Sequence, residues 1–507
     1  MREKRKLVSG RLVLSILFIL IQVLFLCVAL FYSIGATYYV VGSTVISIIL
    51  GLYIASRDDN PAYKVGWLVV LVAIPFFGLM FYLIFGNKGL GKWSKKKVGN
   101  YRNLATKDLF PLKEDKIENL KNDNLERIAL YIKNQSGYGL FSNTAVKYYP
   151  LGELGYPHFI EGIKSAKKYI FFEFFIYNDG ELWKEVKNLL LDKVKQGIDV
   201  YLMYDDMGSI NYVPTNFDIL LRKQGIKAVK FNPVHPRMNP KLNYRDHRKM
   251  CVIDGKIAFT GGLNMADEYI NRNIKFGHWK DNFLQLEGLA VSSFVVTFID
   301  LWNFASPVRM HLNNEDFITE YSVEGNGFIQ PFADSPLDYQ NVSEFAYMQV
   351  INLAKKYVWI TTPYLILDNE MINALSLAAC SGVDVRIITP YVPDKVLVFE
   401  VTQANYKRLI ESGVKIYQYV PGFIHTKIFI CDDNISIVGT TNMDYRSFYL
   451  HFELGVIMYE DTVIQDVKKD VQRVIEISKP VTLEEIKKLS SRRKLFRNFL
   501  KLFAPMM

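Results

Sequence analysis

Histidine and cysteine are both scarce in this chain of 507 residues, at seven and four. The cysteines, Cys27, Cys251, Cys380 and Cys431, lie far apart in apolar surroundings. They form neither a zinc-type cluster nor a disulfide framework, and they read as buried thiols. No plausible metal-ligand cluster appears elsewhere, so neither a metal nor another cofactor is expected. Polar low-complexity character is also missing: half of the residues are apolar, which excludes a disordered chain. The formal charge is +10, so partners of negative sign are expected. A chain this apolar and this basic points to an enzyme facing an anionic membrane, with nucleic acid as the competing reading. The length allows two or three domains.

Because histidine is rare, the placement of two of the seven stands out. One stretch reads His247, Lys249, Asp254, Gly261-Gly262, Asn264. A second reads His425, Lys427, Asp432, Gly439-Thr440, Asn442. Every pair is offset by 178 residues, without a gap. The surrounding windows are 241–268 and 419–446.

The spacing predicts a β-hairpin in each copy. Lys249 to Ile253 is a short β-prone run, Asp254-Gly255 is a tight-turn signal, and Ile257 to Thr260 returns. The second copy has Ile428 to Cys431, a turn at Asp432-Asp433-Asn434, and Ile435 to Val438. Residues i and i+2 of a strand face the same way, so an imidazole and an ammonium project together. The Gly pair ending the first return strand allows close approach of a ligand to the backbone, and Asn264 adds an amide beside it.

This twice-repeated His-x-Lys, Asp, Gly-Gly-x-Asn pattern resembles the signature of the phospholipase D superfamily. Thr440 departs from it. Gly439-Thr440-x-Asn442, followed by Asp444-x-Arg446-Ser447, is similar to the cardiolipin synthase branch. Asn60-Pro61, Lys64, Trp67, Pro75, Gly78, Tyr82 and Gly86 also resemble the last N-terminal span of bacterial members. The resemblance thus covers nearly the whole chain. It implies an α/β fold: two tandem phospholipase D-like α/β/α sandwich domains related by a pseudo-twofold axis, preceded by transmembrane helices.

Taken in order, residues 1–105 read as a membrane anchor and basic linker. Apolar runs cover 12–32, 37–56 and 65–85, each about long enough to cross a bilayer core as a helix. A cleaved signal peptide is the competing reading of the first run. Basic residues flank both ends of the anchor: Arg2, Lys4, Arg5 and Lys6 before it, Lys88, Lys92 and Lys95 to Lys97 after it. Three full crossings cannot place both flanks on the cytoplasmic side. Either one flank is translocated or one segment is incomplete, and Pro75 and Gly78 would allow the third to be bent or re-entrant. The expectation is a multi-pass cell-membrane protein with a cytoplasmic catalytic region.

The two halves are placed at 106–312 and 313–507. Ala166-Lys167-Lys168-Tyr169 leads into an apolar strand, as does Ala354-Lys355-Lys356-Tyr357. Each continues through a helical stretch to Gly-x-Asp-Val and another strand, a βαβ pattern. The Pro-rich loop 232–240 is expected to border the substrate entrance, and His235 in it is a candidate third imidazole. His158, His278, His311 and His451 have no twin at the 178 offset and read as structural or rim residues. Glu173 and Glu453 resemble acidic positions of the superfamily; a local hydrogen-bonding role and a direct role are equal readings. The tail, 491–503, alternates bases with bulky apolar residues at helical spacing. It suits either a lipid interface or packing on the N-terminal helices.

Two imidazoles from two halves must share one site. One can attack a phosphodiester while the other protonates the departing alcohol, giving a phospho-histidine intermediate. Lys249, Lys427, Asn264 and Asn442 are expected around the phosphoryl oxygens, and Asp254 and Asp432 on the far imidazole N–H. The resemblance makes His247 the nucleophile and His425 the acid/base; the near-symmetric residues alone leave this open. It further implies phosphatidyl transfer between two phosphatidylglycerol molecules, giving cardiolipin and glycerol, and no nucleic-acid partner. Other membrane transferases or hydrolases of this type, phosphatidylserine synthase-like among them, and a tethered nuclease remain as alternatives.

Overall fold

The computed structural model describes residue 24 and residues 33–58, 60–82, 86, 115–234, 243–310, 317–338 and 340–506. The basic flanks of the anchor, His235, His311 and the run 12–32 apart from Leu24 lie outside these residues.

At the N-terminus, α1 (Ser33–Ala55) is followed by α2 (Pro61–Ala73) and α3 (Pro75–Phe81). Asn60 caps α2, and Pro61 occupies its first turn, where a missing N–H is harmless. The expected single run 65–85 is broken at Ile74-Pro75, because proline cannot continue the ladder of α2. Ile54, Tyr63, Trp67, Leu71 and Tyr82 close a small core between these helices. Among the described residues no helix is long and apolar enough to cross a membrane.

The body that follows contains two large sheets among the described residues. Strands β1 (Thr144–Tyr149), β2 (Tyr169–Phe174), β3 (Asp199–Asp205), β4 (Lys227–Phe231), β5 (Arg245–Asp246), β6 (Met250–Ile253), β7 (Ile257–Gly261), β8 (His278–Lys280) and β9 (Phe283–Gly288) precede helix α4 (Val291–Ala305). Then come β10 (Phe328–Asp334), β11 (Tyr357–Thr361), β12 (Leu365–Ile366), β13 (Asp384–Pro390), helix α5 (Val396–Glu411), β14 (Lys415–Tyr419), β15 (Gly422–Ile424), β16 (Ile428–Cys431), β17 (Ile435–Gly439), β18 (Met443–Asp444), helix α6 (Tyr445–Tyr449), β19 (His451–Tyr459), β20 (Ser478–Pro480) and helix α7 (Ser491–Leu502). The first sheet runs β1-β9-β7-β6-β2-β3-β4 and the second β10-β19-β17-β16-β11-β13-β14-β20. The expected parallel pairs β2/β3 and β11/β13 are present, one in each.

The sheets share one core. Phe294, Phe298 and Trp302 of α4, together with Val467 and Val471 of the Val463–Glu476 helix, pack between Phe171 and Val252 of one sheet and Ile430 and Val456 of the other. Separate apolar clusters cover the two outer faces. One boundary differs from expectation. Leu125, Ile128, Ala129 and Ile132, an i, i+3, i+4, i+7 stripe, were placed with the first half by their position but pack in the outer layer of the second. Phe141 bridges Ile329 of β10, and Gln330 donates to the carbonyls of Ala129 and Tyr138, fixing that segment there. Cys251 and Cys431 are buried as expected, whereas Cys380 is exposed at the end of its helix.

Candidate active site

Both predicted hairpins are present. β6 pairs β7 across Asp254-Gly255, and β16 pairs β17 across Asp432-Asp433, with positive φ at all four turn residues. The turn aspartates correct one expectation. Asp254 accepts from the backbone N–H groups of Lys167, Lys168 and Tyr169 at 2.8, 2.8 and 2.9 Å. Asp432 accepts from those of Lys355, Lys356 and Tyr357 at 2.6, 2.8 and 2.9 Å. Neither carboxylate reaches an imidazole. Each ties its hairpin turn to the start of the neighbouring central strand, because the turn lies at the far end of β6 or β16 from the histidine.

The histidines are held across the twofold instead. β5, just before His247, pairs in parallel with β19 of the other half, Arg245 opposite His451. β15, just before His425, pairs in parallel with β8, Phe423 opposite Trp279. The His247 N–H donates to the Phe452 carbonyl at 3.0 Å and the His425 N–H to the Lys280 carbonyl at 2.8 Å. Each signature strand is thus completed by the opposite half.

The same exchange supplies the imidazole partners. His247 Nδ1 lies 2.9 and 3.0 Å from the two oxygens of Glu453, and His425 Nδ1 lies 2.7 Å from Asp281 Oδ2. Asp281 and Glu453 are register equivalents: each stands two residues before the residue that faces the signature glycine, Phe283 opposite Gly261 and Gly455 opposite Gly439. Glu453 therefore acts directly on the site, and Asp281 is the functional residue that sequence reasoning missed. Its signal was hidden because the repeat offset changes from 178 to 172 between hairpin and next strand. Glu173, by contrast, pairs with Arg248 at 2.9 Å.

His247, His425, Asn264 and Asn442 line one cavity of about 590 Å³, together with Arg446, His451, Lys395 and Tyr445. Both imidazole pKa values are pushed well below the usual range, by burial first and then by neighbouring lysine charge. In each ring Nδ1 faces a carboxylate, which leaves Nε2 as the nitrogen for chemistry. Burial pulls Lys249 down to about 7 and Lys427 down to about 8. Lys249 Nζ donates to the carbonyl of His247, and Lys427 Nζ to that of His425. Lys427 Nζ also lies 3.0 Å from both ring nitrogens of His425. Burial pushes the Asp281 carboxyl up to about 7.

The amides differ. Asn264 accepts from the Ile176 N–H at 3.0 Å and donates to the Tyr269 hydroxyl at 2.8 Å. Asn442 Oδ1 is buried without a protein partner among the described residues, so it is the freer of the two to meet a ligand. His451 is neither remote nor at the rim: its ring centroid lies 5.2 Å from that of His247, and its Nδ1 3.4 Å from Glu453. His247, His451 and Glu453 place ligand atoms within 4.8 Å of one another, the geometry of a metal-binding group that the sequence did not suggest. Lys249, Lys427 and Arg446 surround it, so the local charge opposes a cation. His278 is structural, bonded to Glu153 and Tyr419, and His158 stacks on Tyr149.

Comparison with known proteins agrees with this geometry. Residues 159–278 and 347–475 match the family described as cardiolipin synthase, PLD-like domain, and 44–87 match the phospholipase D-nuclease N-terminal family. An uncharacterized protein of Streptococcus mutans is 38% identical over 90% of this chain and 99% of its own length. A cardiolipin synthase of Alkalihalophilus pseudofirmus is 32% identical over 92% of this chain and 93% of its own. The crystal structure of a phosphatidylserine synthase from Haemophilus influenzae shares the fold, with TM-score 0.57 and 16% identity over 76% of this chain and 100% of that one. On its matched signatures and its near-full-length relatives, the chain belongs to the cardiolipin synthase family of phospholipase D-like phosphatidyltransferases.

Proposed function

We propose that the protein passes a phosphatidyl group from one phosphatidylglycerol to the terminal hydroxyl of another, releasing glycerol and forming cardiolipin. The observation that carries this reading is the pair of imidazoles lining one cavity, each held at Nδ1 by a carboxylate of the opposite half. His247 Nε2 attacks phosphorus. The P–O bond to glycerol breaks, and His425, entering the cycle as the imidazolium paired with Asp281, gives its Nε2 proton to the departing oxygen. Neutral His425 then takes the proton of the incoming glycerol hydroxyl, whose oxygen displaces His247 from phosphorus. Glu453 stabilises the charge that His247 carries in the intermediate. Lys249 and Lys427 stand beside the two histidines and add positive charge when protonated, and the two asparagines line the cavity that would hold the phosphoryl group.

The protein is membrane-associated, and we place its N-terminal apolar runs in the cell membrane. Tyr38, Val41, Val45, Ile48, Ile49 and Leu52 are all exposed on α1, a surface that water disfavours and lipid accepts. The basic flanks of the anchor favour a catalytic body on the cytoplasmic side. The test is mass spectrometry of the products formed by purified protein in vesicles whose only reactive lipid is phosphatidylglycerol. Cardiolipin and glycerol in equal amounts are expected. Phosphatidic acid as the dominant product would make the enzyme a hydrolase.

A further inference from the structure

Helix α7 is inverted relative to an ordinary surface helix. Arg497 is only 6% exposed, while Leu495 is 72% and Phe499 54% exposed, with Phe496 and Leu502 also open. Leu495, Phe499 and Leu502 follow one another at i, i+4 and i+7, so they form one stripe. One base, Arg497, points inward. Arg493 and Arg497 reach Glu400 of α5 at 2.5 and 2.6 Å, and Arg497 also meets Gln403. The buried Arg497–Glu400 pair, with half-exposed Arg493 beside it, holds the helix in an orientation that leaves its apolar stripe uncovered. Arg492 and Lys494 remain outside, on the flanks of the stripe.

The helix backs the catalytic cavity. Its Leu500, with Ala504 beyond it, packs on Ile366, Val398, Val401 and Tyr445. Ile366, Val398 and Tyr445 are also cavity wall, and neighbouring Leu397 lines the cavity while standing half exposed. The helix further touches α2, whose Val65, Val69 and Val72 form a second exposed apolar stripe.

We propose that α7 is an interfacial seat: its apolar stripe enters the headgroup–acyl boundary of the anionic bilayer that holds the N-terminal segments, and thereby sets the α5 rim of the cavity at the lipid surface. The exposed bases beside the stripe match an anionic surface, and contact with α2 makes the seat continuous with the anchor. A donor or acceptor lipid would then pass from bilayer to cavity with its acyl chains still in the lipid. This rests on the membrane placement proposed above, but its test does not depend on turnover.

The test uses the full chain carrying Cys380→Ser, reconstituted in nanodiscs containing phosphatidylglycerol. An environment-sensitive dye is attached at Leu495→Cys, Phe499→Cys or, as a control on the first half, Leu154→Cys, which is exposed. Brominated lipid is expected to quench the dye at 495 and 499 by half or more and to leave 154 unchanged. Equal, weak quenching at all three sites overturns the seat, as does protection of 495 and 499 by a second copy in a detergent-stable dimer. Cardiolipin formation by the same samples separates failure of the seat from failure of the proposed reaction. With Phe496→Ser and Phe499→Ser combined, the apparent KM for vesicle phosphatidylglycerol is expected to rise about fivefold or more, with kcat within twofold.

Discussion

The two half-sites carry the same signature on different supports. In one, the carboxylate holding His247 is Glu453, which also receives the Thr440 hydroxyl at 2.5 Å and faces His451. In the other, Asp281 holds His425, and Gly262 stands where the first has Thr440. A Cβ at Gly262 would meet Asp281 Oδ1 at 2.0 Å, so the shorter carboxylate and the missing side chain go together. Further back, Glu173–Arg248 forms a buried ion pair on β2. The matching place on β11 holds a hydroxyl pair, Thr361 and Thr426, 2.7 Å apart. The duplicated backbone brings the rings together; the side chains behind them make the halves unequal. Glu453 accepts the Thr440 hydroxyl where Asp281 accepts the backbone N–H of Asn282 at 3.0 Å. The proposed reaction gives the nucleophile's part to His247, the ring held by the longer carboxylate.

The largest effects should come from the rings themselves. His247→Ala and His425→Ala are each expected to lower turnover about 10⁴-fold or more, since the two act as one unit. They should nevertheless differ under acid quench with phosphate-labelled lipid. His425→Ala retains the nucleophile and is expected to accumulate some labelled enzyme; His247→Ala should show none. Label on His247→Ala and not on His425→Ala would reverse the assignment.

The carboxylates come next. Glu453→Gln and Asp281→Asn should each cost about 10²–10³-fold, the scale of a lost acid–base partner. Single-turnover kinetics sharpen the comparison. Glu453→Gln should slow formation of the phosphatidyl-enzyme more than Asp281→Asn does. Equal slowing of that step would mean that the unequal supports have no mechanistic consequence.

Much of this frame could be read without coordinates, and the reason is local. Lys249 to Thr260 and Lys427 to Val438 declare hairpins through strand periodicity and a turn aspartate, features held within a dozen residues. The cross-half pairing could not be read in the same way. Arg245-Asp246 meets His451-Phe452 over two residues each, separated by about two hundred in sequence, and so short a strand carries no period. Asp281 falls outside the repeat because the offset changes after the hairpin, and His451 has no twin at the 178 offset; its register equivalent is Trp279, which does not titrate. The tail showed its composition but not its orientation, which depends on Glu400 lying beneath Arg497.

A smaller test probes the pair Gly262 and Thr440. Gly262→Ala should displace Asp281 and cut activity about 30-fold. Thr440→Gly removes one hydroxyl donor from Glu453 and should cost about 10-fold, the lower end of a hydrogen bond to a charged group. Measured as kcat/KM on phosphatidylglycerol vesicles, a Thr440→Gly enzyme as active as wild type would show that the hydroxyl donor to Glu453 is dispensable.

The smallest catalytic effect is expected where the halves are alike. Asp254 and Asp432 each gather three backbone N–H groups from the strand beside their hairpin, at 2.6–2.9 Å, and neither touches the cavity. Asparagine tolerates the left-handed backbone that both occupy but has only one acceptor oxygen and no charge. Each Asp→Asn change should therefore cost about 1–3 kcal/mol of stability. At about 2–4 °C of Tm per kcal/mol for a domain of this size, thermal unfolding in detergent should resolve either one. Turnover at 20 °C should stay within about twofold. If instead turnover fell a hundredfold at unchanged Tm, these carboxylates would act on the chemistry after all, and the assignment of Glu453 and Asp281 as the imidazole partners would be incomplete.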